Sequence, residues 1–163
     1  AINLIKNFIE IIKKLDSYYH TNLHLIIQAP QSQFNFIQNN LDKIRISYEV
    51  NFFYEDINRI LIKSDILIAR SGAGTIDDII NYKKPSILIP FPYSLNNHQI
   101  INARYLSDKK AAILINEENF DLINGYKIFK ELLDDKNYRL SIVKTLNQIE
   151  NLDANQLIFN KIS

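Results

Sequence analysis

Short apolar runs punctuate this 163-residue chain at regular intervals, and amphipathic stretches fill the gaps between them. The runs are Leu23-His24-Leu25-Ile26-Ile27, Ile66-Leu67-Ile68-Ala69, Ile87-Leu88-Ile89 and Ala111 through Ile115, with a longer strand-like segment over residues 44–53. Each is too short for a buried helix and ends near a turn signal, so each reads as a strand. The intervening segments carry apolar residues at helical spacing. Ile2, Ile5, Phe8, Ile9, Ile12 and Leu15 share one face of a predicted helix over residues 2–15. Phe34, Ile37 and Leu41 point inward from a helix over 31–42, and Ile57, Ile60 and Leu61 from a shorter one over 55–63. Helices follow over 75–82 and 97–108, and the last third is mostly helical, with no proline after Pro92. Strands alternating with helices require crossovers, which makes a doubly wound, Rossmann-like parallel sheet the economical α/β fold. Such a domain begins with a strand. This sequence begins with a helix, so the first strand is expected to be missing from it.

Composition narrows the function classes. The hydrophobic fraction is 47%, the charged fraction 23% and the net charge +1, which suits a globular fold and disfavours bulk electrostatic binding of nucleic acid. Cysteine is absent, so disulfides and thiolate metal sites are excluded. Three scattered histidines have no metal-site spacing, and no divalent metal or tightly bound cofactor is expected. His20 and His24 lie near a strand start, the wrong end for ligands, and read as structural.

Ligands of open parallel sheets bind at the carboxyl ends of strands. Glycine is scarce here, three in all, yet Gly72 and Gly74 fall together in Arg70-Ser71-Gly72-Ala73-Gly74-Thr75, directly after an apolar strand. A helix start beyond such a turn offers unpaired N–H groups and partial positive charge to a phosphate, and Ser71 and Thr75 add hydroxyls. The glycines alone fit a tight strand-to-helix turn equally well. Thr75 and Asp78 fit a capping box, the reading that local sequence favours; the alternative gives the Asp78 carboxylate two sugar hydroxyls. After the next strand, Pro90-Phe91-Pro92-Tyr93 stiffens a loop, and His98 and Gln99 open the following helix with hydrogen-bonding side chains beside the glycine turn.

Taken together, residues 64–75, Lys84-Pro85, Pro90-Phe91-Pro92-Tyr93, Asn97-His98-Gln99 and Asn102-Ala103 resemble the C-terminal domain of the MurG family of UDP-N-acetylglucosamine (UDP-GlcNAc) transferases, in order and in spacing. Phe53-Tyr54-Glu55-Asp56-Ile57 and Leu152-Asp153-Ala154 are similar to flanking segments of that domain, the latter to the start of its last helix. The resemblance covers nearly the whole chain. It implies the C-terminal, donor-binding half of a GT-B glycosyltransferase over residues 1–163, with the N-terminal acceptor domain absent. It implies inverting transfer of GlcNAc from UDP-GlcNAc to lipid I, making lipid II for peptidoglycan, as a peripheral enzyme at the cytoplasmic face of the bacterial inner membrane. By the same resemblance the backbone at Tyr54 reads uracil, and Ala73, Gly74 and Thr75 line the diphosphate at the helix start; Arg70, Ser71 and Gly72 are expected among the UDP-GlcNAc-binding residues with them. Asp78 stands where the family usually has Glu and holds the ribose, while His98 and Gln99 meet the sugar and the phosphate side. The general base and the membrane-facing patch belong to the absent domain, so no catalytic residue is expected in this chain and the chain alone is expected to be inactive. The alternatives are the donor half of another GT-B enzyme with a partner subunit, and a non-catalytic nucleotide-sugar-binding module. An epimerase of the same fold is disfavoured because its acidic strand-end motif has no counterpart.

Overall fold

The computed structural model describes the backbone of residues 2–94 and 97–162 and the side chains of residues 4–94 and 97–149. The helices and strands alternate as the apolar pattern predicts. In chain order they are α1 (Ile2–Lys14), α2 (Ser17–Asn22), β1 (His24–Gln28), α3 (Phe34–Ile44), β2 (Ser47–Asn51), α4 (Ile57–Lys63), β3 (Leu67–Ala69), α5 (Ala73–Tyr82), β4 (Ser86–Leu88), α6 (His98–Ser107), β5 (Ile113–Leu114), α7 (Asn124–Asp134) and α8 (Lys136–Ile162). All strand pairs among the described residues are parallel, β1 with β2 in one sheet and β3-β4-β5 in another.

The chain divides into two compact units. One comprises Ala1–Ile60 with Glu118–Ile128, the other Leu61–Glu117 with Phe129–Ser163. In the first unit α1 packs on α3. Ile9, Ile11, Ile12, Ile37, Leu41 and Phe120 are fully buried. Gly125 is needed for close packing here, since a Cβ at that position would sit 2.9 Å from Ile11 Cδ1 and 3.0 Å from two atoms of Phe120. In the second unit α5 packs on both α6 and α8. Ile87, Leu88 and Ile89 are fully buried, as expected of a strand with a neighbour on each side.

Several boundaries differ from expectation. The helix over 31–42 opens with a 3-10 turn (Gln31–Gln33) and runs on to Ile44, where Arg45 takes a left-handed conformation and ends it. The strand expected over 44–53 is cut to five residues as a result. Ile57 is 40% exposed, and only Leu61 of α4 is buried. The last helix starts at Lys136, well before Leu152, and is continuous. The side chains of Ile2 and of Leu152, Asp153 and Ala154 lie outside the described residues, as do Leu95 and Asn96 of the loop before α6.

Candidate functional site

The start of α5 corrects the capping-box expectation. The helix begins at Ala73, its N-cap is Gly72, and no side chain caps it. Thr75 is therefore the third helical residue, and Asp78 lies a full turn too late to cap. Ile76 N–H makes the first intrahelical bond, to Gly72 O at 3.1 Å. The N–H groups of Ala73, Gly74 and Thr75 have no backbone acceptor among the described residues.

The fold does not need glycine at either position of this turn. Gly72 has φ −64°, and no glycine has positive φ. A Cβ on Gly74 would meet nothing within 4 Å, and one on Gly72 nothing nearer than Thr75 Oγ1 at 3.9 Å. The explanation of the pair as a tight turn therefore loses its steric basis. Open space above exposed amides remains.

Helix α3 also lacks a side-chain cap, at Gln33, whereas four other helices begin differently. Asp16, Asp56, Asp121 and Asp135 each accept backbone N–H groups, at 2.8–3.0 Å, at the starts of α2, α4, α7 and α8. Helices α5 and α6, which both follow strand ends of the three-stranded sheet, have no side-chain cap. The N-cap of α6, Asn97, is left-handed with φ 56°.

The side chains around this uncapped start fall into two groups. Ser71 is fully buried, and its hydroxyl donates to Gln99 O at 2.7 Å. Asn102 Nδ2 donates to Ser71 O at 3.0 Å. Ser71 thus ties α6 to the end of β3, and its proton is engaged within the protein. Arg70 is tied inward through one nitrogen: Nη1 donates to Ile89 O and Pro90 O, each at 3.1 Å, and lies 2.9 Å from Glu117 Oε2, while Nη2 is buried without a hydrogen-bond partner among the described residues. Gln99 Oε1 accepts Phe91 N–H at 2.8 Å, which leaves the amide NH2 as the donor to spare. Thr75 and Asp78 are half-buried on α5, and His98 is exposed at the start of α6. Burial, with the neighbouring Asp77 carboxylate adding, pushes Asp78 above the usual carboxylate range.

Tyr54 belongs to the other unit, whereas the remaining nine expected site residues share the second. It follows the carboxyl end of β2, and its hydroxyl donates to Ile27 O at 3.4 Å. Its backbone N–H and C=O enter no backbone hydrogen bond of the described residues. His20 Nε2 lies 2.9 Å from Ile12 O and His24 Nδ1 lies 2.7 Å from Ser47 Oγ, in keeping with structural roles. Sequence reasoning missed Glu117. The available signal was a carboxylate two residues past the Ala111-to-Ile115 run, at the ligand end of a strand.

Parallel strands with crossover helices, and an uncapped helix start at a strand's carboxyl end, define a Rossmann-like α/β fold. The chain belongs to the glycosyltransferase family 28 C-terminal domain family, whose profile matches residues 2–156. A UDP-N-acetylglucosamine--N-acetylmuramyl-(pentapeptide) pyrophosphoryl-undecaprenol N-acetylglucosamine transferase of Prochlorococcus marinus (strain MIT 9301) is 37% identical over 131 residues, covering 80% of this chain and 33% of that protein. The same-named protein of strain MIT 9215 is 34% identical over 164 residues, covering 99% of this chain and 42% of that protein. The crystal structure of Acinetobacter baumannii MurG matches with a TM-score of 0.79 at 21% identity, over 91% of this chain and 42% of that one. The chain spans between a third and under a half of the length of these relatives.

Proposed function

We propose that this chain binds UDP-GlcNAc as the donor-binding part of an inverting N-acetylglucosaminyltransferase whose acceptor is lipid I and whose product is lipid II. The relatives' names specify an N-acetylglucosamine transfer and an undecaprenol-linked acceptor. The observation that carries the reading is the start of α5, uncapped and bearing two glycines that the fold does not require. There the N–H groups of Ala73, Gly74 and Thr75, with the Thr75 hydroxyl, meet the diphosphate. They hold the charge that develops on UDP as it leaves the anomeric carbon, which is electrostatic stabilisation of a leaving group without a resident metal or cofactor. Asp78 accepts the ribose hydroxyls, one carboxylate oxygen to each O–H. Its side chain is one methylene shorter than the family's usual Glu. His98 and the free amide hydrogens of Gln99 serve the sugar. Ser71 and Arg70 shape the site from within.

The acceptor site and the general base fall in the part of the relatives that this chain does not span. A polyprenol acceptor places the work at a membrane surface, and we assign it to the cytoplasmic face of the bacterial inner membrane. We assign a peripheral contact; no helix of the described residues is long and apolar enough to cross a membrane. Titration calorimetry of the chain with UDP, UMP and ADP tests the donor site. Binding is expected for UDP, weaker binding for UMP, and little for ADP. Equal or absent heats for all three would remove the assignment.

A further inference from the structure

We propose that Glu117 is a positioning residue for the sugar end of the donor, acting through Arg70 and Phe91 on the Gln99 amide. The proposal rests on the donor-binding reading above. Arg70 leaves β3, Ile89 and Pro90 follow β4, and Glu117 follows β5, so three successive strand ends meet at one guanidinium. Nη1 reaches two carbonyls and the Glu117 carboxylate, and the Phe91 ring centre lies 5.5 Å from the guanidinium carbon. Both charged side chains are largely out of water, Arg70 at 21% and Glu117 at 16% exposure, so the pair is screened less than one on the surface.

Gln99 is held at two points. Its carbonyl accepts from Ser71, which fixes the main chain at the start of α6. Its side-chain oxygen accepts from Phe91 N–H, which fixes the amide plane and aims the NH2. Ser71 anchors the first point without Glu117. The second depends on where Pro90 and Phe91 sit, and Arg70 holds those through Nη1, which Glu117 also contacts, while Nη2 is buried without a hydrogen-bond partner among the described residues. Loss of the Glu117 charge therefore loosens the amide that serves the sugar. It leaves the α5 amides that serve the diphosphate in place. A sugar-selective defect is the signature.

Calorimetric titration of the full chain with UDP and with UDP-GlcNAc reads this as a ratio of the two dissociation constants. Glu117→Gln, nearly isosteric, is expected to weaken UDP-GlcNAc about tenfold, the size of one lost hydrogen bond, while UDP changes by less than about twofold. Glu117→Asp keeps the charge and is expected to recover part of the loss. Arg70→Lys, a second route to the same loosening, keeps the cation but lacks the fork and is expected to shift the ratio the same way. An unchanged ratio in a parent that binds UDP overturns the proposal, and so does equal weakening of both ligands. A parent silent toward UDP overturns the donor reading itself, and this proposal with it.

Discussion

At Gly74 the requirements of stability and of binding separate. The position is helical, has ordinary φ, and has room for a methyl group on the protein side. Gly74→Ala is therefore expected to leave stability unchanged or to raise it by up to about 1 kcal/mol, while UDP affinity falls because the new Cβ stands where the phosphate approaches. Urea unfolding and calorimetry on the same sample check both halves. Asp78 gives a prediction in pH. Burial and the Asp77 carboxylate hold its carboxyl above the usual range, so only between the unfolded and folded pKa values does the folded chain bind a proton there that the unfolded chain has released. Its contribution to stability is thus fully present below the unfolded pKa and is lost as pH rises through the folded one. Binding runs the other way, because ribose hydroxyls need the ionised carboxylate. UDP-GlcNAc affinity is expected to fall on acidification, beginning at a higher pH than an ordinary aspartate would give, and Asp78→Asn is expected to flatten that fall. UDP-GlcNAc is the proper ligand because its diphosphate is esterified at both ends and has no ionisation near neutrality. A pH profile that is identical in parent and variant would remove Asp78 from the site.

The helix starts are not all closed alike: α3, like α5 and α6, has no side-chain cap. Four starts are closed by aspartates, and the two beside the proposed donor site are not. Closure by a carboxylate neutralises the end of a helix and places negative charge where a phosphate would otherwise go. Helix α7 illustrates the structural use of glycine in contrast to α5. A Cβ at Gly125 would press on Ile11 and on the Phe120 backbone, neither of which is the free end of an exposed side chain. Gly125→Ala is expected to cost about 1–3 kcal/mol by overpacking, read as a lower urea midpoint with little change in slope. Periodicity identifies these helices well, because one buried stripe per helix leaves a 3.6-residue signature. It places their ends less well. It puts the start of α5 two residues late, since Thr75 resembles a cap in sequence and only the backbone path reveals Gly72 in that role.

For the whole molecule, a ligand that binds only the folded chain must stabilise it. UDP at about 100 times its dissociation constant is expected to add about 2.7 kcal/mol, seen as a melting temperature that climbs with UDP concentration and responds less to ADP. No shift with UDP at concentrations where calorimetry reports binding would contradict a folded-state site. The α/β class, the order of elements and the glycine turn were all legible from the sequence, because burial of strands and helix stripes is written into local apolar spacing. So was the family, from a run of motifs in fixed order. The division into two compact units was not legible, nor was the use of Arg70 and Ser71 as internal ties. Residues 70, 89, 90 and 117 are far apart in the chain, and a guanidinium carries no mark of which carbonyls it will meet. Local pattern fixed which segments are strands and where the glycine turn falls. Tertiary packing alone decided which polar groups are used up inside the protein and which remain for a ligand, because hydrogen-bond partners are chosen by proximity in space.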